Sequence, residues 1–302
     1  MSSDAQAGVE SPWVVAMPAV FVLIWSTGFI VARFGMPHAP PFTFLGWRYA
    51  LSIAGLLVWI QLARVPWPKD GQWRHLCVTG ALMHAGYLGG VWAAVKGGMG
   101  AGLAALIVGL QPVLTALWVA HRGGQVHVRQ WLGLGLGLSG LTLVIWDRLG
   151  SGSITPSNVA WITLGLLSIT AGTLYQKRFI KPCDVRSANA VQLMAAWVVS
   201  APLIWLETEP MMWNAQSMGA MAWSVLALTI GASSLLYLLI QRGAATSVAS
   251  LMYLVPPCTA MLAWLLFDEP LGTRVLLGVA LTAMGVWWVV RRAPQPNGVN
   301  KS

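Results

Sequence analysis

The chain has 302 residues, 57% of them hydrophobic and 9% charged, with a mean hydropathy of +0.67. A water-soluble fold cannot hide that much apolar surface, so the composition excludes a soluble globular protein and points to a bilayer. The formal charge of +9 does not indicate nucleic acid, because the Lys and Arg residues fall between apolar runs rather than on one basic face.

Residues 1 to 12 carry Asp4 and Glu10 but no Lys or Arg, unlike the basic start of a cleaved signal peptide, so the first apolar run is expected to remain in the protein. A helix needs about 20 apolar residues to cross about 30 Å of hydrocarbon. On that measure the sequence predicts ten spans, at 13–34, 41–63, 75–95, 98–120, 130–147, 158–177, 187–206, 219–240, 244–266 and 272–291. The third and fourth are separated only by Lys96 and the glycines of Gly97-Gly98-Met99-Gly100. Cys77, Cys183 and Cys258 lack metal-ligand spacing and are read as packing residues or idle thiols.

Much of this pattern occurs twice. A shift of 145 places Gly98 on Gly243, Ala104 on Ala249, Leu106 on Leu251, Pro112 on Pro257, Gly133 on Gly278 and Gly140 on Gly285. Each copy holds a span interrupted by proline followed by one with spaced glycines, and such a duplicated, interrupted pair points to a transporter binding site. Because each half has an odd number of spans, the second must cross in the opposite sense. The predicted fold is therefore an all-α membrane protein of ten helices in two inverted five-helix repeats, 13–148 and 158–291, flanked by tails at 1–12 and 292–302. With the N-terminus inside, 13 Lys and Arg residues lie on the inner side and 4 on the outer, of 18 in all, so both termini are expected in the cytoplasm.

Several polar residues stand inside the spans, each with a structural alternative. Trp25, Ser26 and Thr27 sit halfway down the first span. A mid-bilayer Trp either stacks on a solute in a wet pocket or packs with its N–H on a neighbouring helix. Arg48 lies well inside the second span, either attracting anions near the outer mouth or snorkelling outward to brace the Pro40-Pro41 turn. His84 and Tyr87, three apart, share a helical face on the third span, with the imidazole either a ligand or proton carrier or a bridge between helices. Gln111 precedes Pro112, and Pro257 is its repeat counterpart. Both prolines free backbone carbonyls that must face neighbours or a wet cavity. Thr170 is the counterpart of Ser26 at a shift of 144, and Tyr237 and Tyr253 lie on polar stripes of the eighth and ninth spans. These stripes face the bundle interior and either line a pocket or knit helices together. Gly133, Gly137 and Gly140 suggest close helix packing or dimerisation, so a monomer and a homodimer both fit. No span carries a mid-depth Asp or Glu, so no carboxylate proton relay is visible; proton coupling stays open through His84. An intramembrane enzyme lacks its nucleophile, base and acid constellation, and no cofactor is called for.

Trp25-Ser26-Thr27-Gly28-Phe29, Pro40-Pro41 and Arg48-Tyr49, with Gly243-Ala244 through Ser250, Pro257, Asp268-Glu269-Pro270-Leu271, Gly278 and Gly285, resemble the EamA family of the drug/metabolite transporter superfamily. The resemblance runs from about Trp13 to Arg291, except that His121-Arg122-Gly123-Gly124 stands where the family often has a Glu. It implies an inner-membrane carrier whose helices one, three, four, six, eight and nine enclose a central cavity while five and ten pack outside. It also implies a small-molecule substrate, most simply an exported amino acid, with nucleotide-sugars, sugars or other solutes as the alternative. A neutral, aromatic- and hydroxyl-lined site suits a zwitterion with an apolar portion; phosphorylated sugars would want more cations than Arg48.

Overall fold

The computed structural model describes residues 12–69, 71–123, 128–148, 154–232, 234–235, 238 and 254–290, and within them the chain forms ten helices and no strand. They are α1 Pro12–Gly35, α2 Pro41–Leu62, α3 Gln72–Lys96, α4 in two pieces (Ala101–Val108 and Gln111–His121), α5 Val128–Arg148, α6 Pro156–Phe179, α7 Val185–Leu206, α8 Ala215–Trp223 continued by Ser224–Gly231, α9 Val255–Phe267 and α10 Thr273–Val290. Six of these helices, α1 to α4, α6 and α7, are long and apolar enough to cross a bilayer. With the two repeats they make the chain a multi-pass, all-α membrane protein.

The breaks fall where the prolines stand. α4 is interrupted at Gly109 and Leu110, and Pro112 opens its second piece, where a missing N–H leaves no helical bond unmade. Pro256 and Pro257 likewise occupy the first turn of α9 after Leu254. The interruption of α4 meets the first turn of α9: a Cβ added to Gly109 would lie 2.9 Å from Pro256 Cγ.

The inversion is visible in one helix pair. A Cβ on Gly140 of α5 would collide with the carbonyl of Gly278 on α10, and one on Gly285 with the carbonyl of Gly133. Each contact is the other with its members exchanged through the shift of 145. Between them the Thr282 hydroxyl donates to the Gly137 carbonyl at 3.4 Å, and residue 282 is the repeat counterpart of residue 137. A residue can touch its own counterpart only at the axis relating the two halves. Since α5 ascends while α10 descends past it, that axis reverses helix direction and lies in the plane of the membrane. The glycine stripe thus serves packing within one chain, letting backbones approach closely. The same logic pairs α2 with α7 and α4 with α9, and matches the α3–α6 contact to α8–α1 and the α3–α7 contact to α8–α2.

The two ends of the bundle differ in charge. At one end, here the acidic end, the halves are joined by polar contacts. Neither α2 nor α4 has a capping side chain at its own N-cap. Glu207 fills the gap on α2, accepting from Phe42 N at 2.9 Å, Thr43 N at 2.7 Å and Thr43 Oγ1 at 2.8 Å. Glu269 does the same for α4, accepting from Ala101 N at 2.8 Å. A carboxylate at a helix N-terminus satisfies unpaired N–H groups and complements the helix dipole. Lys96 pairs with Glu209 at 2.7 Å and also donates to the Met36 carbonyl. At the opposite, basic end, Gln72 bonds Lys181 N, His75 meets the Tyr175 hydroxyl at 2.9 Å and Ser187 donates to the Pro66 carbonyl. Asp184 caps α7 there; its bonds to Arg186 hold its carboxyl below the ordinary range, while burial, more than the neighbouring Asp184 charge, raises the Cys183 thiol.

Candidate functional site

Three polar junctions form where the broken and interrupted helices meet. The first joins α1, α8 and α9. Ser26 is fully buried and donates to the Val22 carbonyl at 2.8 Å, a back-bond that keeps a hydroxyl satisfied inside an apolar helix. Its own carbonyl accepts from Thr259 of α9 at 3.2 Å. Thr27 donates to Ile24 O and accepts from Trp223 Nε1 of α8 at 2.8 Å. Trp25 is half-buried, its ring 5.6 Å from that of Phe21. Among the described residues its indole N–H has no partner.

The second junction joins α4 and α6, the inverted counterpart of the α9–α1 contact. The Gln111 amide donates to Thr173 Oγ1 at 2.9 Å, and Thr115 donates back to the Gln111 carbonyl. Thr170, nearly a turn before Thr173, is buried and back-bonds Leu166 O at 2.7 Å. Gln111 and Thr173 therefore bridge helices through the amide nitrogen.

The third junction lies between α2, α3, α7 and α8, and it is the one that sequence spacing described least well. Residues Ala81–Gly86 of α3 and Ser224–Gly231 of α8 are π-helical. At the shift of 145 both segments end on a glycine, Gly86 and Gly231, so each half carries the same irregularity. π turns are rare and concentrate at functional sites. Tyr87 follows directly on the α3 segment, and Arg48 lies near both it and His84. His84 and Thr229 are repeat counterparts within these segments. Adjacent residues of α2 reach both: Tyr49 donates to the His84 carbonyl at 2.9 Å, and Arg48 Nη2 to Thr229 Oγ1 at 3.4 Å. Tyr49 also sets its ring edge-on to the imidazole at 6.5 Å. Gln192 of α7, bonded to Thr79 at 3.0 Å, sits beside His84. Tyr87 is 7% exposed, and among the described residues its hydroxyl has no partner.

Arg48 corrects one expectation. It does not snorkel to the Pro40-Pro41 turn; it is 8% exposed and turned into the protein. The turn is braced instead by Glu207. Tyr237 and Tyr253 lie outside the described residues. Tyr49, Gln192, Thr173 and Thr229 were not singled out by sequence; a hydroxyl or amide on an apolar span was the available signal, but nothing in the spacing tells which polar residue meets which across helices.

A protein of these contents has recognisable relatives. The model of the EamA-like transporter family matches residues 12–146 and again 157–291. The chain is 26% identical over 273 residues to the uncharacterized inner membrane transporter YedA of Escherichia coli (strain K12), covering 89% of this chain and 86% of that one. It is 23% identical over 282 residues to a protein of the same organism named "Probable amino-acid metabolite efflux pump", covering 88% and 91%. A crystal structure with 20% identity superposes with a TM-score of 0.62 over 91% of this chain and 95% of its own, which bears on the fold alone. The doubled family match coincides with the two halves whose counterparts touch at Gly137 and Thr282, and the chain belongs to the EamA-like transporter family.

Proposed function

We propose that this transporter exports a small zwitterionic metabolite, most simply an amino acid, across the inner membrane by alternating access. The observation that carries this reading is the meeting of the interruption in α4, at Gly109, with Pro256 in the first turn of α9, beside the axis of the inverted halves. Broken helices expose backbone groups inside the bundle, where a solute can be held and passed on. Trp25 and Tyr87 supply an aromatic face with free polar tips, and Thr27, His84, Gln111 and Thr170 supply hydroxyl, imidazole and amide groups. Ser26 holds α1 against α9, Pro112 sets the hinge at the interruption of α4, and Pro257 is its counterpart in the first turn of α9. Polar contacts between halves at the acidic end, among them Glu207 to α2, Glu269 to α4, Lys96 to Glu209 and His38 to Asn214 and Gln216, lie at the rim and can part as the halves rock. The excess of Lys and Arg at the basic end supports placing that end, and both termini, in the cytoplasm. Amino-acid efflux is supported by the name of a relative at 23% identity and by the scarcity of buried charge.

Counterflow tests it. Proteoliposomes preloaded with unlabelled solute are given a panel of radiolabelled amino acids and sugars, with and without a pH gradient. The reading requires accumulation of at least one amino acid that depends on the trans solute. Accumulation of sugars only, or flux indifferent to trans solute, overturns it, and a response to the pH gradient assigns proton coupling.

A further inference from the structure

Arg48 presents a charge that the protein leaves unanswered. Among the described residues it is the only buried charged side chain, and it takes part in none of the ion pairs formed there, which are Lys96–Glu209, Arg186–Asp184 and Arg274–Asp147. A guanidinium offers five N–H donors. One bonds Thr229 at 3.4 Å, longer than the ~2.8 Å usual for a charged donor, and Nε has no acceptor. Ser52, one turn further along α2, and Ser224, one π turn before Thr229 on α8, are the neighbours in this seam whose hydroxyls are also buried without a partner. Thr229 spends its own proton on the Ser224 carbonyl at 3.0 Å. The seam therefore holds unused donors and no acceptor of opposite charge. Water could accept those hydrogen bonds but not balance the charge, and a charge at this depth marks a pathway or a missing partner.

We propose that the Arg48 guanidinium, at the junction of α2 with the π-helical segments of α3 and α8, is the anchor for the carboxylate of the transported solute. A carboxylate brings two oxygens with about four lone-pair sites, which matches the planar fork of an arginine and leaves acceptors for a neighbouring hydroxyl. Tyr49 and Thr229 hold the two flanking π segments to the same stretch of α2, so filling the site bears directly on both halves. This assignment rests on the reading of the protein as a carrier of zwitterions, and the experiment separates the two.

Purified full-length protein in detergent, in chloride-free sulfate buffer, is titrated with L-phenylalanine, 3-phenylpropionate, phenylalaninamide and phenethylamine, with binding read from the thermal unfolding midpoint. The wild type is expected to bind the two carboxylates at least about tenfold tighter than the amide and the amine. Arg48→Gln should remove that preference while leaving amide and amine binding unchanged, and Arg48→Lys, which keeps the charge and loses the fork, should fall between. If Arg48→Gln does not accumulate, Arg48→Lys and Ser52→Ala must each reduce the carboxylate preference. Equal binding of carboxylate and amide by the wild type, equal loss of all ligands in the variants, no binding of either carboxylate, or Arg48-dependent stabilisation by chloride alone overturns the assignment. Arg48-dependent binding of 3-phenylpropionate without amino-acid counterflow would uphold the carboxylate site while removing the amino-acid reading.

Discussion

The α5–α10 seam and the α2–α3–α8 junction are built on opposite terms. Along α5 and α10 glycines bring backbone against backbone, and the Thr282 hydroxyl between them is bonded to both Gly137 and Gly278. At the junction α3 and α8 are π-wound, and among the described residues a buried guanidinium lacks a counterion and the Ser52 and Ser224 hydroxyls have no partner. Close-packed, fully bonded contacts are costly to rearrange, whereas an irregular helix with unused donors has more than one way to be satisfied. Under the proposed function, the difference separates a scaffold holding the two halves together from the region expected to respond to a solute.

That contrast is most easily broken at the scaffold. Gly140→Val drives a side chain into the Gly278 backbone and Thr282, and is expected to cost about 3 kcal/mol and most of the folded protein, read by fluorescence-detected size exclusion after heating. Gly135→Val, on the same helix where an added Cβ meets nothing within 4 Å, should leave the profile unchanged. Equal damage from both would mean that α5 tolerates no bulk anywhere and that the seam is not special. At the polar junctions the expected loss is of function instead: Trp25→Ala and Tyr87→Ala should each lower counterflow by at least about tenfold, the equivalent of about 1.4 kcal/mol, with membrane abundance unchanged. Full flux in both would remove these residues from the solute path.

Smaller effects sharpen the difference between the ends of the bundle. Glu207→Gln removes the charged cap of α2 and should cost about 1 kcal/mol of thermal stability, with more damage to the acidic-end contact than to helix content. Asp184, at the basic end, gives the smallest effect. Its folded pKa is lowered from the ordinary 3.8, chiefly by its hydrogen bond to Arg186, so its contribution is complete above that value and is lost as pH falls through the lower folded one. Asp184→Asn should lower the unfolding midpoint slightly at pH 7 and flatten its decline below about pH 4, so that variant and wild type converge in acid.

The sequence was informative where the signal is local or repeated. Apolar length located ten helices to within a few residues where their ends are described, proline marked the interruption of α4 and the first turn of α9, and the glycines matched at a shift of 145 are the ones that meet across the axis. It was silent where partners are distant in the chain. Glu207 and Glu269 look like loop acids until Thr43 and Ala101 are seen beside them, 164 and 168 residues away. The π segments could not be read at all, because Ala81–Gly86 has the composition of any apolar helix and the extra residue in the turn is imposed by packing. There, Gly86 and Gly172 leave room for Ser168 and Met83, and α6 lies close against α3.

The central claim is that the halves part at the acidic end in every transport cycle. In a background with Cys77, Cys183 and Cys258 replaced by Ser, Lys96→Cys and Glu209→Cys place thiols where an ion pair of 2.7 Å joins the halves. Bridging them with a short bis-methanethiosulfonate should abolish counterflow, and reduction should restore it. Undiminished flux through the bridged protein would contradict the account.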